Sequence, residues 1–490
     1  MIEDGTPIRT RGTAPAGRAI SGVSRGVPSS IVALLTAFAV ATTGIVPSIS
    51  PARAQEEALR GMPVIRDTEI EALLRDYAQP VLRAAGLAQQ NVRVVVLGNR
   101  AFNAFVMDGR HIFINAGALF DAKTPNEIIG VFAHETGHLA GGHLSRLREQ
   151  LASAQTASII AMLAGVGAMV AGARSGASGG GDVGMAAIMA PQAAIQRSLL
   201  AYVRTQEDQA DHAGVKFLTT TNQSPRGMVE LFKRLSNDSL FNSRYIDPYL
   251  QTHPMPAERV AALEIQAKVS PYWDRKDSPE LQLRHDMMRA KLSGFLDRPD
   301  TVARRYPLGD HSLPARYARA ISTYRNSDLR QAIAQIDGLI QVQPGNPYFH
   351  ELKGQALLEG GHPAEAIAPL RHAVQISHGA PLIEIMLAQA LIATNSNKIA
   401  EEAVELLRSA IAREPDASEA YSQLAMAYGR KGDVANADLA SAQAAFARGD
   451  LKTARQLATR AKTRLAVGSP AWVRADDIVN VKPPKINAKN

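Results

Sequence analysis

Thr124-Pro125-Asn126-Glu127-Ile128-Ile129-Gly130-Val131-Phe132-Ala133-His134-Glu135-Thr136-Gly137-His138 is the stretch around which the rest of the chain is read. A Thr cap, a Pro in the first turn and Glu127 just behind it predict a helix that begins here. On such a helix His134 and His138 stand one turn apart on the same side, where two imidazoles can bind one zinc ion. Glu135 is rotated by ~100° from His134. It therefore borders the metal without ligating it and can take a proton from the water that zinc activates. The H-E-x-x-H spacing thus implies metal-assisted peptide hydrolysis. The competing reading is a solvated helix with Ile128 and Phe132 in the core and the histidines incidental.

A third ligand is required. One class of zinc peptidase extends the pattern to H-E-x-x-H-x-x-G-x-x-H, and Gly141 fits, but the last position is Leu144. His143 comes one place early, roughly 140° round a continued helix from His138. It is expected to be a packing or surface residue, and that class is set aside. The alternative is a carboxylate on a later helix. Between His138 and Gln206 the only acidic residues are Glu149 and Asp182. Glu149 is too far along the same helical run at ~1.5 Å per residue, and Asp182 sits in a glycine-rich stretch. Glu207-Asp208-Gln209-Ala210-Asp211-His212 follows, with Val203, Ala210, Val215 and Phe217 in helical register. Glu207 and Asp211 share a face at i, i+4. Glu207 is the expected third ligand. Asp211 is the expected carboxylate that orients a ligand imidazole, with a helix-surface charge as the alternative.

The chain has no cysteine, which excludes disulfides, thiolate metal sites and cysteine nucleophiles, so a zinc site here must use His and carboxylate. A formal charge of +8 raises the possibility of nucleic-acid binding, but no Lys/Arg stripe with interleaved aromatics exists. Five Arg against Glu3 and Asp4 lie in residues 1–54, and without them about +5 remains, a mild surplus suited to solubility. That segment reads as an export signal. Arg9, Arg11, Arg18 and Arg25 precede an apolar run from Ile31 to Val46, and Pro51 precedes Ala52-Arg53-Ala54, an A-x-A cleavage pattern before Gln55. A membrane anchor is the other reading, but about 16 apolar residues fall short of the ~20 a span needs.

Around the motif, Gln55 to Leu87 is expected to be helical, with Ile65, Ile70, Leu73, Leu74, Tyr77 and Val81 on one stripe and a kink or restart at Pro80. Val92 to Leu97 reads as a strand. Phe102–Val106 and Ile112–Asn115 flank the turn Asp108-Gly109 as a hairpin. The Ile112–Asn115 strand is expected to offer its edge to an extended substrate. Ile159 to Ala173 is apolar, and Ser175 to Gly184 is nearly all Gly, Ser and Ala. A buried helix followed by a flexible loop is one reading, and a mobile or membrane-touching flap is the other.

The C-terminal third repeats. Ala320, Gly354, Ala388 and Ala425 recur at 34, 34 and 37 residues, and Ala332, Ala366, Ala403 and Ala437 at 34, 37 and 34. One three-residue insertion, placed at Asn395-Ser396-Asn397, accounts for both series. Pro344 and Pro415 close two repeats, while His378 stands where another Pro would fit. A 34-residue period with small residues on two helices and a closing Pro resembles the tetratricopeptide repeat. Arg455 to Leu465 is expected to cap the array, and Lys482 to Asn490 to be a disordered tail.

E-x-x-A-D after H-E-x-x-H, with Thr252-His253-Pro254 and Arg259 further on, resembles the gluzincin peptidases related to HtpX and the CAAX prenyl proteases. With a signal in front and repeats behind, the likeness narrows to their periplasmic, BepA-like branch and covers Gln55 to about Leu465. The expected fold is mainly α: a gluzincin metalloprotease domain with a small β-sheet, then an α-solenoid of tetratricopeptide repeats. The expected boundaries are 1–54 signal, 55–265 peptidase, 266–305 helical linker, 306–465 repeats and 466–490 tail. The resemblance implies one zinc ion and endopeptidase activity on unfolded or stalled outer-membrane proteins at their assembly machinery, which the repeats would contact. It also implies that His253 can fill the open metal position and hold the enzyme shut, against the plainer reading of a loop histidine before a proline. Arg259 is left with two readings, oxyanion stabilisation or an ion pair. Residues 159–190 are a candidate for peripheral membrane contact. A repeat-based scaffold or chaperone with a latent protease site is the alternative function. An integral-membrane prenyl-protein protease would need several long apolar spans that the chain lacks after its leader.

Overall fold

The computed structural model describes residues 63–175, 180–241, 248–394 and 400–481. The leader and its cleavage site, residues 55–62 of the first expected helix, the insertion at 395–397 and the tail from 482 lie outside the described residues. Residues 62–490 form one compact unit.

Four short strands make one sheet: β1 (Val64–Ile65), β2 (Arg93–Leu97), β3 (Ala104–Val106) and β4 (His111–Asn115). Their spatial order is β1-β2-β4-β3, with β2 and β4 parallel and the outer pairs antiparallel. Ile65, expected on the first helix stripe, instead pairs with Val96 in the β1–β2 ladder. A β-branched pair preceding Asp67 is better suited to a strand than to a helix start. The β3–β4 hairpin turns at Asp108, whose carboxylate accepts from the backbone N–H of Arg110 and His111 at 3.0 and 2.9 Å. Gly109 supplies a φ of +76° there. The ladder also corrects one expectation: β4 has partners on both sides, so Ile112–Asn115 has no free edge, and the outer strand of that end is β3.

Helix α1 (Thr68–Ala84) is capped by Asp67, which accepts from Ile70 N at 2.9 Å, and it continues through Pro80. Its face of Ile70, Leu73, Leu74, Tyr77 and Val81 packs into the peptidase core with Ile112, Ile114, Ile128 and Phe132. After α2 (Ala116–Asp121), α3 (Pro125–Gly141) carries the H-E-x-x-H stretch through the centre of that core. Glu127 accepts from Lys123 N at 2.9 Å and holds the N-terminus, whereas Thr124 makes no side-chain cap. Then come α4 (His143–Ser175), α5 (Gly180–Thr220), α6 (Arg226–Phe241), α7 (Pro248–Thr252) and α8 (Ala257–Ala267).

Helices α4 and α5 are far longer than the expected buried helix and loop, and α5 starts at Gly180, inside the stretch expected to be a loop. Ile159 and Ile160 are 55% and 62% exposed, so this part of α4 is not a core helix. The helical residues 180–184 are Gly-Gly-Asp-Val-Gly, so intrinsic propensity does not account for this start, and the Ala- and Met-rich residues that follow it favour the helix.

The segment expected as a linker forms α9 (Pro279–Leu296) and α10 (Pro299–Arg305), and α9 packs on both the peptidase and the first repeat helix. Four helical pairs follow: α11 (Leu313–Asn326) with α12 (Leu329–Val342), α13 (Pro347–Glu359) with α14 (Pro363–Ile376), α15 (Pro381–Ala393) with α16 (Ala400–Arg413), and α17 (Ser418–Arg430) with α18 (Val434–Ala447). One small-residue series lies on the first helix of each pair and the other on the second, and Ala320, Ala388, Ala332, Ala366 and Ala403 are fully buried between them. His378 adopts φ +54°, which a proline ring forbids, so this turn differs from those at Pro344 and Pro415. After α19 (Leu451–Lys462), the stretch expected as a tail contains α20 (Pro470–Asn480), whose Ala475 and Ile478 complete a small terminal core. No helix of the described residues is long and apolar enough to cross a membrane.

Candidate metal centre

The centre is built where α3 and α5 cross at contact distance. A Cβ on Gly137 would lie 2.8 Å from the carbonyl oxygen of Ala210, so glycine lets the two backbones meet. That crossing puts His134 and His138 of α3 against Glu207 and Asp211 of α5, all of them buried. The turn after α7 adds His253. His134, His138, Glu207 and His253 thereby bring one ligand atom each to within 4.8 Å of one another.

The separations match the edges of a coordination tetrahedron. Bonds of ~2.1 Å to one ion give edges of ~3.4 Å. His134 Nε2 is 3.0 Å from His138 Nε2, and Glu207 lies 3.4 Å from each of them. His253 Nδ1 is 3.3 Å from His134 Nε2 and 3.1 Å from Glu207 Oε2. Its other nitrogen, Nε2, faces Glu135 Oε1 at 3.5 Å.

Glu135 is fully buried, and among the described residues neither of its oxygens accepts a hydrogen bond, the contact with His253 Nε2 being 3.5 Å long. A buried carboxylate without a donor is costly unless a bound water or ligand completes it. Burial also pushes its carboxyl above the usual range. With nitrogen and oxygen donors converging on one point and a free carboxylate beside it, the residues fit a divalent metal with an activated water.

The surrounding groups fix the donors. Asp211 Oδ1 is 2.9 Å from His134 Nδ1, which donates to it and turns Nε2 toward the centre. Arg259 grips Asp211 with two donors, Nε and Nη2, at 2.7 and 2.9 Å, and its Nη1 reaches Glu207 Oε2 at 2.9 Å and Pro254 O at 2.8 Å. Arg259 thus forms the ion pair of the second reading, and the oxyanion reading is left open by the second N–H of Nη2. Burial works to raise Asp211 and Glu207. Hydrogen bonds from His134 and Arg259 still hold Asp211 below the usual carboxylate range, and the charges of His253 and His134 do the same for Glu207. Against the same burial, the bonds to Asp211 and Glu207 raise His134 to about 9, whereas burial and the neighbouring His134 hold His138 well below the usual range.

His143 corrects the picture of a continued helix. Helix α3 stops at Gly141, Gly142 takes φ +61°, and the new helix begins with His143, whose Nδ1 sits 2.9 Å from Nδ1 of His138. It is no ligand, as expected, but it is also not a bystander. The Gly141-Gly142 pair was the signal for this break. Phe232 supports the His134 ring edge-on at 5.5 Å between centroids, a contact that no spacing indicated.

A four-donor His/Glu centre on an H-E-x-x-H helix, set on a small sheet, defines a metallopeptidase, and residues 65–267 match Peptidase family M48. Residues 317–381 match the tetratricopeptide repeat. Over most of its length the chain is similar to the beta-barrel assembly-enhancing protease of Yersinia pestis, at 22% identity over 422 residues, 84% of this chain and 83% of that one. The protein of that name from Escherichia coli (strain K12) is 22% identical over 436 residues, 85% and 84% of the two chains. A protease HtpX homolog of Syntrophobacter fumaroxidans is 33% identical over 154 residues, 29% of this chain and 52% of that one. The chain is therefore a metallopeptidase whose residues 65–267 are similar to Peptidase family M48, with tetratricopeptide repeats behind that domain.

Proposed function

We propose that the protein is a zinc endopeptidase of the periplasm that acts on unfolded or stalled outer-membrane β-barrel proteins. The observation that carries the enzymatic part is the convergence of His134, His138 and Glu207 beside a buried Glu135 that no protein group satisfies. His134, His138 and Glu207 would hold the ion. Zinc when bound supplies Lewis acidity, polarising the scissile carbonyl and lowering the pKa of water. Glu135 takes the proton from the attacking water and passes it to the leaving amine. Asp211 and Arg259 keep His134 and Glu207 in orientation. The client class is suggested by the relatives' name, beta-barrel assembly-enhancing protease, and the repeats offer a surface for clients or for assembly partners. The periplasmic assignment rests on the leader pattern, and the mature chain isolated from cells should begin at Gln55.

His253 adds control. With Nδ1 at the fourth corner and Nε2 toward Glu135, it stands where the attacking water must sit. The enzyme is then latent in this conformation, and displacing His253 opens it. The scaffold reading draws on the same observation, since a shut site leaves the repeats as the working part. Complementation of an envelope defect separates them: failure of Glu135→Gln to rescue supports the protease, and full rescue by it supports the scaffold.

A further inference from the structure

His143 is only 4% exposed, and the reaction as described makes no use of it. Its ring meets that of His138 edge-on, with planes at 80° and centroids 5.0 Å apart, so that the two Nδ1 atoms face each other at 2.9 Å. At this distance one nitrogen must donate and the other accept. His138 needs a bare Nε2 toward the ligand set, 3.0 Å from His134 Nε2. A neutral ring with Nε2 bare carries its proton on Nδ1. His138 Nδ1 therefore donates, His143 Nδ1 accepts, and His143 keeps its own proton on Nε2.

The chain makes room for this ring. A Cβ on Gly141 would stand 2.2 Å from His143 Nε2 and 2.5 Å from its Cδ2, and the positive φ of Gly142 turns the backbone so that residue 143 folds back on residue 138. The two metal-facing histidines are thus backed differently, His134 by the Asp211–Arg259 pair and His138 by a second imidazole.

We propose that His143 is a positioning residue that fixes the tautomer and ring orientation of His138 and so sets the affinity of the centre for its metal, a role that rests on His138 being a ligand. Partners of this kind typically contribute a factor of roughly 10 to 100 in metal affinity.

The test is zinc competition against a chromophoric chelator on the full mature chain, with the visible d–d bands of the cobalt(II)-substituted protein recorded alongside. His143→Leu should bind zinc roughly 10- to 100-fold more weakly and shift the cobalt bands. His143→Asn, whose Oδ1 can accept where Nδ1 does, should recover most of both. Gly141→Ala should weaken zinc comparably by displacing the ring. It should add little on top of His143→Leu, because both changes break one contact. These two variants keep the test open if His143→Leu does not fold. Wild-type affinity in His143→Leu, with affinity lost in His138→Ala, overturns the positioning role and leaves the metal centre standing. Equal losses in His143→Leu and His143→Asn overturn it in favour of mere ring shape. Undiminished zinc binding by His138→Ala overturns the ligand assignment itself.

Discussion

Two of the buried charge clusters among the described residues, the metal centre and the junction of peptidase and repeats, turn their groups in different ways. At the junction of peptidase and repeats, Lys291 is 4% exposed, with Nζ 2.7 Å from Asp67 and 3.3 Å from Glu69. Around it, the Tyr317 hydroxyl donates to Glu69 at 2.9 Å and Thr68 Oγ1 to Glu351 at 2.8 Å. One buried ammonium, two hydroxyls and three carboxylates meet here and tie α1 to α9, α11 and α13, with Glu351 Oε2 left without a hydrogen-bond partner among the described residues. At the metal centre the inner lone pairs of His134, His138, Glu207 and His253 all converge on one point, and Glu135 accepts no hydrogen bond among the described residues. Burial and charge are common to both clusters, whereas convergence of lone pairs belongs to the metal centre. A clamp turns its charges on one another, and a site turns its donors on one point.

The largest expected effect breaks the centre's chemistry alone. Glu135→Gln should retain zinc, measured by metal analysis, and lose on the order of 100- to 10,000-fold in cleavage rate. Next is the clamp. Lys291→Met leaves Asp67, Glu69 and Glu351 uncompensated, which should destabilise the chain by about 3–5 kcal/mol in urea unfolding. A change below about 1 kcal/mol, the scale of an exposed pair, would show that the cluster does not clamp. Smaller again in its effect on the centre, Asp211→Asn should weaken zinc by roughly 10- to 100-fold, since it alters the direction of His134 rather than the donor count.

The smallest effect tests the junction through pH. Burial raises the Glu351 carboxyl to about 7 from its ordinary 4.5, and raises Glu69 in the same direction. The folded state then favours the protonated acid. That contribution is complete below pH ~4.5 and is lost as pH climbs through about 7. Lys291 is raised well above its ordinary value, so its charge does not change in this window. Wild-type protein should melt a few degrees lower at pH 8 than at pH 5 on this account, and Glu351→Gln should flatten the slope. A slope that Gln leaves unchanged would move the pH dependence elsewhere.

Much of this was legible in the chain. The Thr124-Pro125 start located α3, and the 34-residue recurrence of small residues located the repeats, because both patterns are carried by the chain itself. Elimination of Glu149 and Asp182 reached Glu207, because helix geometry limits which carboxylates can meet a metal. Spacing could not show that β4 lies inside the sheet, since parallel pairing with β2 is set by tertiary contacts. His143 was legible as a packing residue and no ligand, but its partner His138 was not, because the break at Gly141-Gly142 that folds it back is not a continued helix. The junction clamp joins Asp67, Lys291, Tyr317 and Glu351 across 284 residues of chain, and no local pattern reports such a meeting. The ion pairs of Arg259 with Glu207 and Asp211 likewise join residues about 50 positions apart, beyond the reach of local pattern.

The most direct test of the central claim uses three proteins: wild type, His253→Ala, and His253→Ala with Glu135→Gln, each assayed for bound zinc and for cleavage of a denatured β-barrel protein. The account predicts one zinc per chain in all three, faster cleavage by His253→Ala than by wild type, and none once Glu135 is replaced. Cleavage that survives the Glu135→Gln change, or wild-type protein that binds no zinc, would contradict it.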